Sequence, residues 1–386
     1  MHRRWVSWPC VGVGNVYVGY SASSCLEARL SSLGKMKAAV FYGPRNIRVE
    51  DLDVPKLQPD WVLLKVRASG VCGSDLHLYR EKTSIKIKSE LGEGRYVPGH
   101  EVSGEVYEVG ANVSNLRAGD RVGVEPLVGC GRCEWCRVGC YNLCPDSRLI
   151  GFYYLGGFAE YCAVPQDRCF MLPKNVSFEE AATLDCIAVA EHAVKRAEVC
   201  NEDAVAILGA GTIGLFAAQA ALTAGAREVY VVGTHDFQLK IARKLGAKST
   251  IDARSEKPVQ RIMELTGGRG VDKAIEAVGG EAATVADAIG MLRRRGVIVV
   301  TGIFVKPMPI DMFGLLTKEL RLTGAWGYEY WTHTKEFAIS LELLARGKID
   351  AKTLITHRYP LDKVSEAYET AMTKERKKSI KVEIVF

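Results

Sequence analysis

The chain has 386 residues, 48% hydrophobic and 25% charged, the proportions of a soluble globular protein long enough for two cores. Its net charge of +6 argues against a nucleic-acid partner. Half of that excess comes from Arg3, Arg4, Arg29 and Lys35 against Glu27, and the remainder is scattered without a basic stripe or interleaved aromatics. No apolar stretch is long enough to span a membrane. Twelve cysteines in a chain of this length point to thiolates that bind metal in a reducing, cytoplasmic compartment, since disulfide scaffolds belong to short secreted chains.

Residues 1–35 read as an extension, unstructured or upstream of the start that is used. His2-Arg3-Arg4 and the run from Trp5 to Ala22 faintly resemble a signal peptide, but Pro9, Gly12, Gly14 and Gly19 interrupt it. Met36-Lys37-Ala38-Ala39-Val40 then opens a strand. As far as Pro173 the pattern is β-rich, with short apolar runs such as Trp61–Val66 and Gly104–Gly110 broken by Gly, Pro and Asp. It predicts a twisted antiparallel barrel whose loops carry the ligands.

Two of those loops bear metal-binding residue types. Gly70-Val71-Cys72-Gly73-Ser74-Asp75 offers a thiolate, and Pro98-Gly99-His100-Glu101 adds an imidazole and a carboxylate. These are the donors zinc accepts, and three protein ligands with one open position make a catalytic site. Residues 80–96, between the two loops, are placed at the entrance of the substrate pocket. Further on, Cys130, Cys133, Cys136 and Cys144 follow the spacing C-x2-C-x2-C-x7-C. That spacing wraps one tetrahedral ion, and four thiolates leave no room for substrate, so this zinc is structural. Cys140 lies inside the lobe as a spare.

From Ser177 the period changes. Ser177 with Glu180 three residues on predicts a capped helix start. A strand over Ala204–Leu208, the turn Gly209-Ala210-Gly211-Thr212-Ile213-Gly214 and an apolar helix over Leu215–Ala224 follow. A G-x-G-x-x-G between strand and helix lets the backbone approach a pyrophosphate at the helix N-terminus. Further strands are predicted at Glu228–Val232, Val271–Val278, Val297–Thr301 and Leu320–Gly324, with a helix through Gly246 after the first. This alternation makes a doubly wound parallel sheet. At the end of the second strand an NAD site places an acidic residue. Gly233 stands there, followed by Thr234 and His235, which leaves room for a 2′-phosphate and predicts NADP in preference to NAD. Asp236, the rival ribose ligand, reads as a helix N-cap. Amphipathic helices over Lys335–Arg346 and Asp362–Thr373 precede a tail strand, Lys381–Val385, that returns to the first domain.

Taken together, G-V-C-G-S-D at Gly70–Asp75, P-G-H-E at Pro98–Glu101, the four-cysteine lobe, G-A-G-T-I-G at Gly209–Gly214 and the tail Leu354–Leu361 resemble the zinc-dependent medium-chain alcohol dehydrogenases. The likeness is to their polyol, butanediol and threonine dehydrogenase branch, and it covers Met36 to the C-terminus. It implies an α/β architecture: a GroES-like catalytic domain over 36–186 with the structural lobe at 128–145, a Rossmann NAD(P) domain over 187–326, and a return to the catalytic domain over 327–386. It further implies Cys72 and His100 as zinc ligands, with Glu101 either a ligand or a switch beside them. Ser74 would accept the substrate proton and pass it through the cofactor ribose to His77.

Two positions depart from the family pattern. The remaining donor, usually Cys or Glu seven residues before His192, is Asp185, with Cys186 as its rival. The other is Gly233. Sorbitol-type members also carry Arg near the position of Gly327. The expected reaction is oxidation of a secondary alcohol, polyol or amino alcohol, a small-molecule substrate, in a homo-oligomer with two zinc ions per chain. Oxidation of an aldose to a lactone, or an inactive dinucleotide-binding protein, are the alternatives.

Overall fold

The computed structural model describes residues 34–80 and 87–386. The extension assigned to 1–35 therefore falls outside it except for Gly34 and Lys35, as does part of the segment at 80–96. Strand β1 (Lys35–Gly43) pairs antiparallel with β2 (Asn46–Asp53). Next comes β3 (Trp61–Gly70), buried along most of its length, with Trp61, Lys65 and Arg67 the residues that reach towards the surface. A short helix α1 (Gly73–Tyr79) follows at once, then β4 (Glu101–Val109), β5 (Arg121–Val124), β6 (Tyr161–Pro165) and β7 (Cys169–Met171).

The chain then turns helical. α2 (Phe178–Ala182) starts at Ser177, whose hydroxyl accepts from Glu180 N while the Glu180 carboxylate accepts from Ser177 N, the reciprocal cap expected from the sequence. α3 (Leu184–Arg196) leads into β8 (Ala204–Leu208), α4 (Thr212–Thr223), β9 (Glu228–Gly233), α5 (Asp236–Lys244), β10 (Ser249–Asp252), α6 (Pro258–Leu265), β11 (Val271–Glu276), α7 (Thr284–Met291), β12 (Leu292–Val300), α8 (Met312–Thr317) and β13 (Arg321–Gly324). The six strands form one parallel sheet in the order β10-β9-β8-β11-β12-β13. Buried alanine, valine and isoleucine fill both of its faces, as a sheet covered by helices on two sides requires. β10 is absent from the sequence reading; four residues with Ser, Thr and Asp among them carry little strand signal.

The tail comprises α9 (Glu336–Ala345), β14 (Ile355–Tyr359), α10 (Val364–Met372), α11 (Lys374–Lys377) and β15 (Lys381–Val385). β15 pairs with the end of β3, Ala68–Gly70, so the last strand enters the first sheet. That sheet runs β7-β5-β4-β3-β15-β14, with β6 on the other half of β3. α9 packs elsewhere: Phe337, Leu341 and Leu344 share a core with Leu215 and Phe216 of α4. The helix read over Asp362–Thr373 begins instead with one 3-10 turn, Leu361–Lys363. Among the described residues no helix is long and apolar enough to cross a membrane.

Candidate metal and cofactor site

Three strand ends meet where β3, β4 and β15 run side by side, with Gly70 opposite both Glu101 and Glu383. β3 ends at Gly70 and the backbone turns into α1 with Cys72 as its N-cap. Cys72 N donates to Asp75 Oδ2 at 2.9 Å, which folds the Asp75 carboxylate back under the loop. Glu101 opens β4, and His100 precedes it.

Cys72, His100 and Glu101 each present a donor atom within 4.8 Å of the other two. His100 and Glu101 are buried, and His100 Nδ1 has no hydrogen-bond partner; Asp75 Oδ1 lies 3.8 Å from it. Burial opposes a charged imidazole, yet the Cys72 thiolate and Asp75 carboxylate outweigh it and hold the His100 pKa well above its ordinary value. A site that favours positive charge this strongly, built from sulfur, nitrogen and oxygen donors, fits a divalent zinc. Asp75 is buried, and burial pushes its own carboxyl pKa up. Its charge acts on His100 across 3.8 Å without a hydrogen bond.

Asp185, the expected further ligand, sits in the first turn of α3 and lies outside that close group. It is near enough for its charge to act on His100, but the Tyr328 phenol donates to Asp185 Oδ1 at 2.7 Å. Burial raises the Asp185 pKa, and His100 and the Tyr328 bond draw it back. Cys186, its rival, also lies outside that close group and donates to Glu101 Oε1 at 3.1 Å. Lys381 Nζ forms an ion pair with Glu101 Oε2 and donates to Val71 O at 3.1 Å. Gly70 makes this possible, because a Cβ there would lie 1.9 Å from Glu101 Oε2 and 2.9 Å from Lys381 Cε. The sequence reading passed over Lys381, Tyr328 and Asp75 as site residues. The i, i+3 spacing of Cys72 and Asp75 was the only local signal for any of them.

Ser74 and His77 lie three residues apart on α1 and share one helix face, both half-buried. Gly327, near which an arginine is expected for sorbitol-type members, has φ of +61°, a conformation L side chains rarely adopt.

Cys130, Cys133, Cys136 and Cys144 form the second close group, again within 4.8 Å. Cys133 N donates to Cys130 Sγ and Cys136 N to Cys133 Sγ, both at 3.4 Å, and Cys130 N donates to Cys144 Sγ at 3.3 Å. Donors from Arg132 N and Cys133 N draw the Cys130 thiol down to about 6. These four donors fit a closed tetrahedral zinc. Cys140 stays outside the group, and burial raises its pKa. The lobe is anchored by Tyr141, whose phenol donates to Glu125, a buried carboxylate also held by Arg168 at 2.7 Å and Lys335 at 2.8 Å. Asn142 Nδ2 donates to Trp326 O at 2.8 Å, which ties the lobe to the segment carrying Tyr328.

The dinucleotide turn lies at the C-terminal end of β8, where the sheet order reverses between β8 and β11. Gly211 caps α4, Thr212 and Ile213 begin it, and a Cβ at Gly214 would lie 1.7 Å from Gly209 O. Helix and turn therefore approach as closely as backbones allow. Thr212 Oγ1 donates to Ile380 O at 3.1 Å, bringing the tail strand to the same turn. At the end of β9, Gly233 is buried, Thr234 is exposed and His235 is half-buried. The N-cap of α5 is His235, not Asp236. Asp236 is the first helical residue and pairs with Lys240 at 2.7 Å, because the extended backbone at His235 already ends the strand.

Residues 58–174 match the model of the alcohol dehydrogenase GroES-like domain, and residues 212–346 match that of the zinc-binding dehydrogenase domain. Sorbitol dehydrogenase from Bacillus subtilis (strain 168) is 37% identical over 339 residues, 87% of this chain and 94% of that protein. The crystal structure of 2R,3R-butanediol dehydrogenase from Bacillus subtilis superposes with a TM-score of 0.82 at 33% identity, covering 91% of this chain and 99% of the other. A zinc-binding dehydrogenase from Sinorhizobium meliloti 1021, solved bound to NADP, gives a TM-score of 0.82 at 30% identity, with 91% of this chain and 99% of that one covered. With its GroES-like and Rossmann domains, this chain belongs to the zinc-dependent medium-chain alcohol dehydrogenases, NAD(P)-linked oxidoreductases of alcohols and polyols.

Proposed function

We propose that the protein oxidises a secondary alcohol, polyol or amino alcohol to the ketone, with hydride passing to NADP+ in preference to NAD+. The observation that carries this reading is the convergence of Cys72, His100 and Glu101 donors within 4.8 Å, at the N-terminus of the helix that bears Ser74 and His77. Zinc held by these residues, with Asp185 beside them, supplies a Lewis acid that makes a hydroxyl acidic near neutral pH. Ser74 accepts the hydroxyl proton, and His77, one turn further on, takes it towards solvent. Asp75 adds a negative charge 3.8 Å from His100 Nδ1, and Lys381 with Cys186 holds Glu101. Gly233-Thr234-His235 receives the adenosine ribose, and Gly209, Gly211 and Gly214 bring the turn against the pyrophosphate.

The second zinc fixes the Cys130–Cys144 lobe and takes no part in the reaction. Homo-oligomers form through β13, one of the two edge strands of the parallel sheet, beside the exposed Met312, Phe313 and Leu316. The clustered cysteines, none of the ten described ones in a disulfide, need a reducing compartment to stay thiolate, and we place the protein in the cytoplasm on that ground.

The test is initial-rate reduction of NADP+ and NAD+ by zinc-loaded protein with sorbitol, xylitol, butanediol, threonine, glucose and simple alcohols. Turnover of one class identifies the substrate family, and lactone from glucose would replace this reading with an aldose dehydrogenase. Silence on every substrate, with one zinc per chain, would overturn it.

A further inference from the structure

β10 lies beside β9 in register, with Gly233 opposite Asp252, and Ala253 N donates to Gly233 O at 2.9 Å. Arg254 follows directly, so a guanidinium is placed next to the residue that lacks the ribose-binding carboxylate. A Cβ at Gly233 would lie 2.8 Å from Ala210 Cβ and 3.0 Å from Leu239 Cδ2, so packing also resists an acidic side chain there.

Asp252 grips one side of the Arg254 guanidinium, accepting from Nε at 3.2 Å and from Nη2 at 3.1 Å. Nη1 remains and donates to Glu375 Oε1 at 2.7 Å. Glu375 belongs to α11, in the tail, so this contact bridges the Rossmann sheet to the segment that precedes β15. The other oxygen of Glu375 lies 4.0 Å from His235 Nδ1, a buried nitrogen without a hydrogen-bond partner. One carboxylate from the tail thus stands between two donors that flank Gly233.

We infer that Arg254 and His235 are the 2′-phosphate ligands of the cofactor site, and that Glu375 is an internal anion which the phosphate displaces from Arg254. This rests on the NADP reading above. A phosphate monoester brings three acceptor oxygens and up to two negative charges to the place of one carboxylate, so both donors engage it more strongly. Asp252 orients the guanidinium and repels the phosphate; the exchange keeps Asp252 and releases Glu375. Arg254 and Glu375 side chains are 44% and 67% exposed, so the swap needs no core rearrangement. NAD+, without the phosphate, leaves the Arg254–Glu375 bridge intact. NADP+ opens it and frees α11 from the Rossmann sheet.

The test uses full-length protein, with dissociation constants for NADPH and NADH by fluorescence titration and for 2′,5′-ADP and 5′-AMP by calorimetry. Arg254→Gln should lower the preference for NADPH over NADH, and for 2′,5′-ADP over 5′-AMP, by about 10- to 100-fold, the worth of a charged hydrogen bond to phosphate. Arg254→Lys should restore part of that preference. Glu375→Gln should raise it by roughly 3- to 10-fold by removing the competing anion. If wild-type protein prefers NADH, the NADP reading itself fails. If wild-type prefers NADPH while Arg254→Gln weakens both cofactors equally or neither, this inference is overturned and the NADP reading stands. A Glu375→Gln protein with unchanged preference would show that the bridge is only structural.

Discussion

Cys186 Sγ donates to Glu101 Oε1 at 3.1 Å while Lys381 pairs with the other oxygen, so the buried carboxylate of the three-donor group is held from two directions. Burial opposes both charges of the pair. For Glu101, Lys381 and His100 outweigh it and bring the pKa below its usual value; for Lys381, Cys186 and Glu101 outweigh it and raise the pKa. Lys381→Met should cost about 3–5 kcal/mol in urea unfolding, because it leaves an uncompensated buried carboxylate. Adding Glu101→Gln to Lys381→Met should recover part of that loss. Two additive losses in the double variant would mean that the pair does not couple.

Tyr328 reaches Asp185 from the segment that the cysteine lobe supports. Tyr328→Phe should cost about 1–3 kcal/mol, the range for losing a hydrogen bond to a buried charged group. It should also speed the loss of one of two zinc ions to a chelator and leave the other unchanged, since the phenol touches only the first site. Equal acceleration at both sites would point to general loosening of the fold.

Cys133→Ser removes one of four closely grouped thiols. Zinc content should fall from two ions per chain to one, and thermal stability should fall with it, because metal binding in such a loop is folding energy. Cobalt substitution of this variant should keep the absorption of the Cys72 site and lose that of the four-thiolate site.

Glu191 is buried on α3, and burial, only partly offset by Lys195, raises its pKa to about 7. The folded state therefore binds a proton that the unfolded state releases near pH 4.5. Stability falls as pH rises from there through 7, and above 7 the cost is up to about 3 kcal/mol. Glu191→Gln should match wild-type at pH 4 and exceed it at pH 8, measured as the difference in urea midpoints at the two pH values. A variant no more stable than wild-type at pH 8 would show that Glu191 carries its charge without penalty.

Short-range spacing carried much of what could be read in advance. Four cysteines within one loop, a glycine turn between a strand and a helix, and Ser177 with Glu180 are local patterns, because backbone geometry over a few residues already confines their side chains. The parallel sheet was legible for the same reason, except β10, whose four residues depend on β9 for their strand conformation. What surrounds the metal donors was not legible in this way. Tyr328 meets Asp185 from 143 positions away and Lys381 meets Cys186 from 195, and neither lysine nor tyrosine has any local periodicity that marks it. Those partners are chosen when β15 enters the first sheet beside β3 and buries Glu101. A buried charge must then find its counter-charge wherever the fold supplies one, and chain distance has no bearing on that requirement.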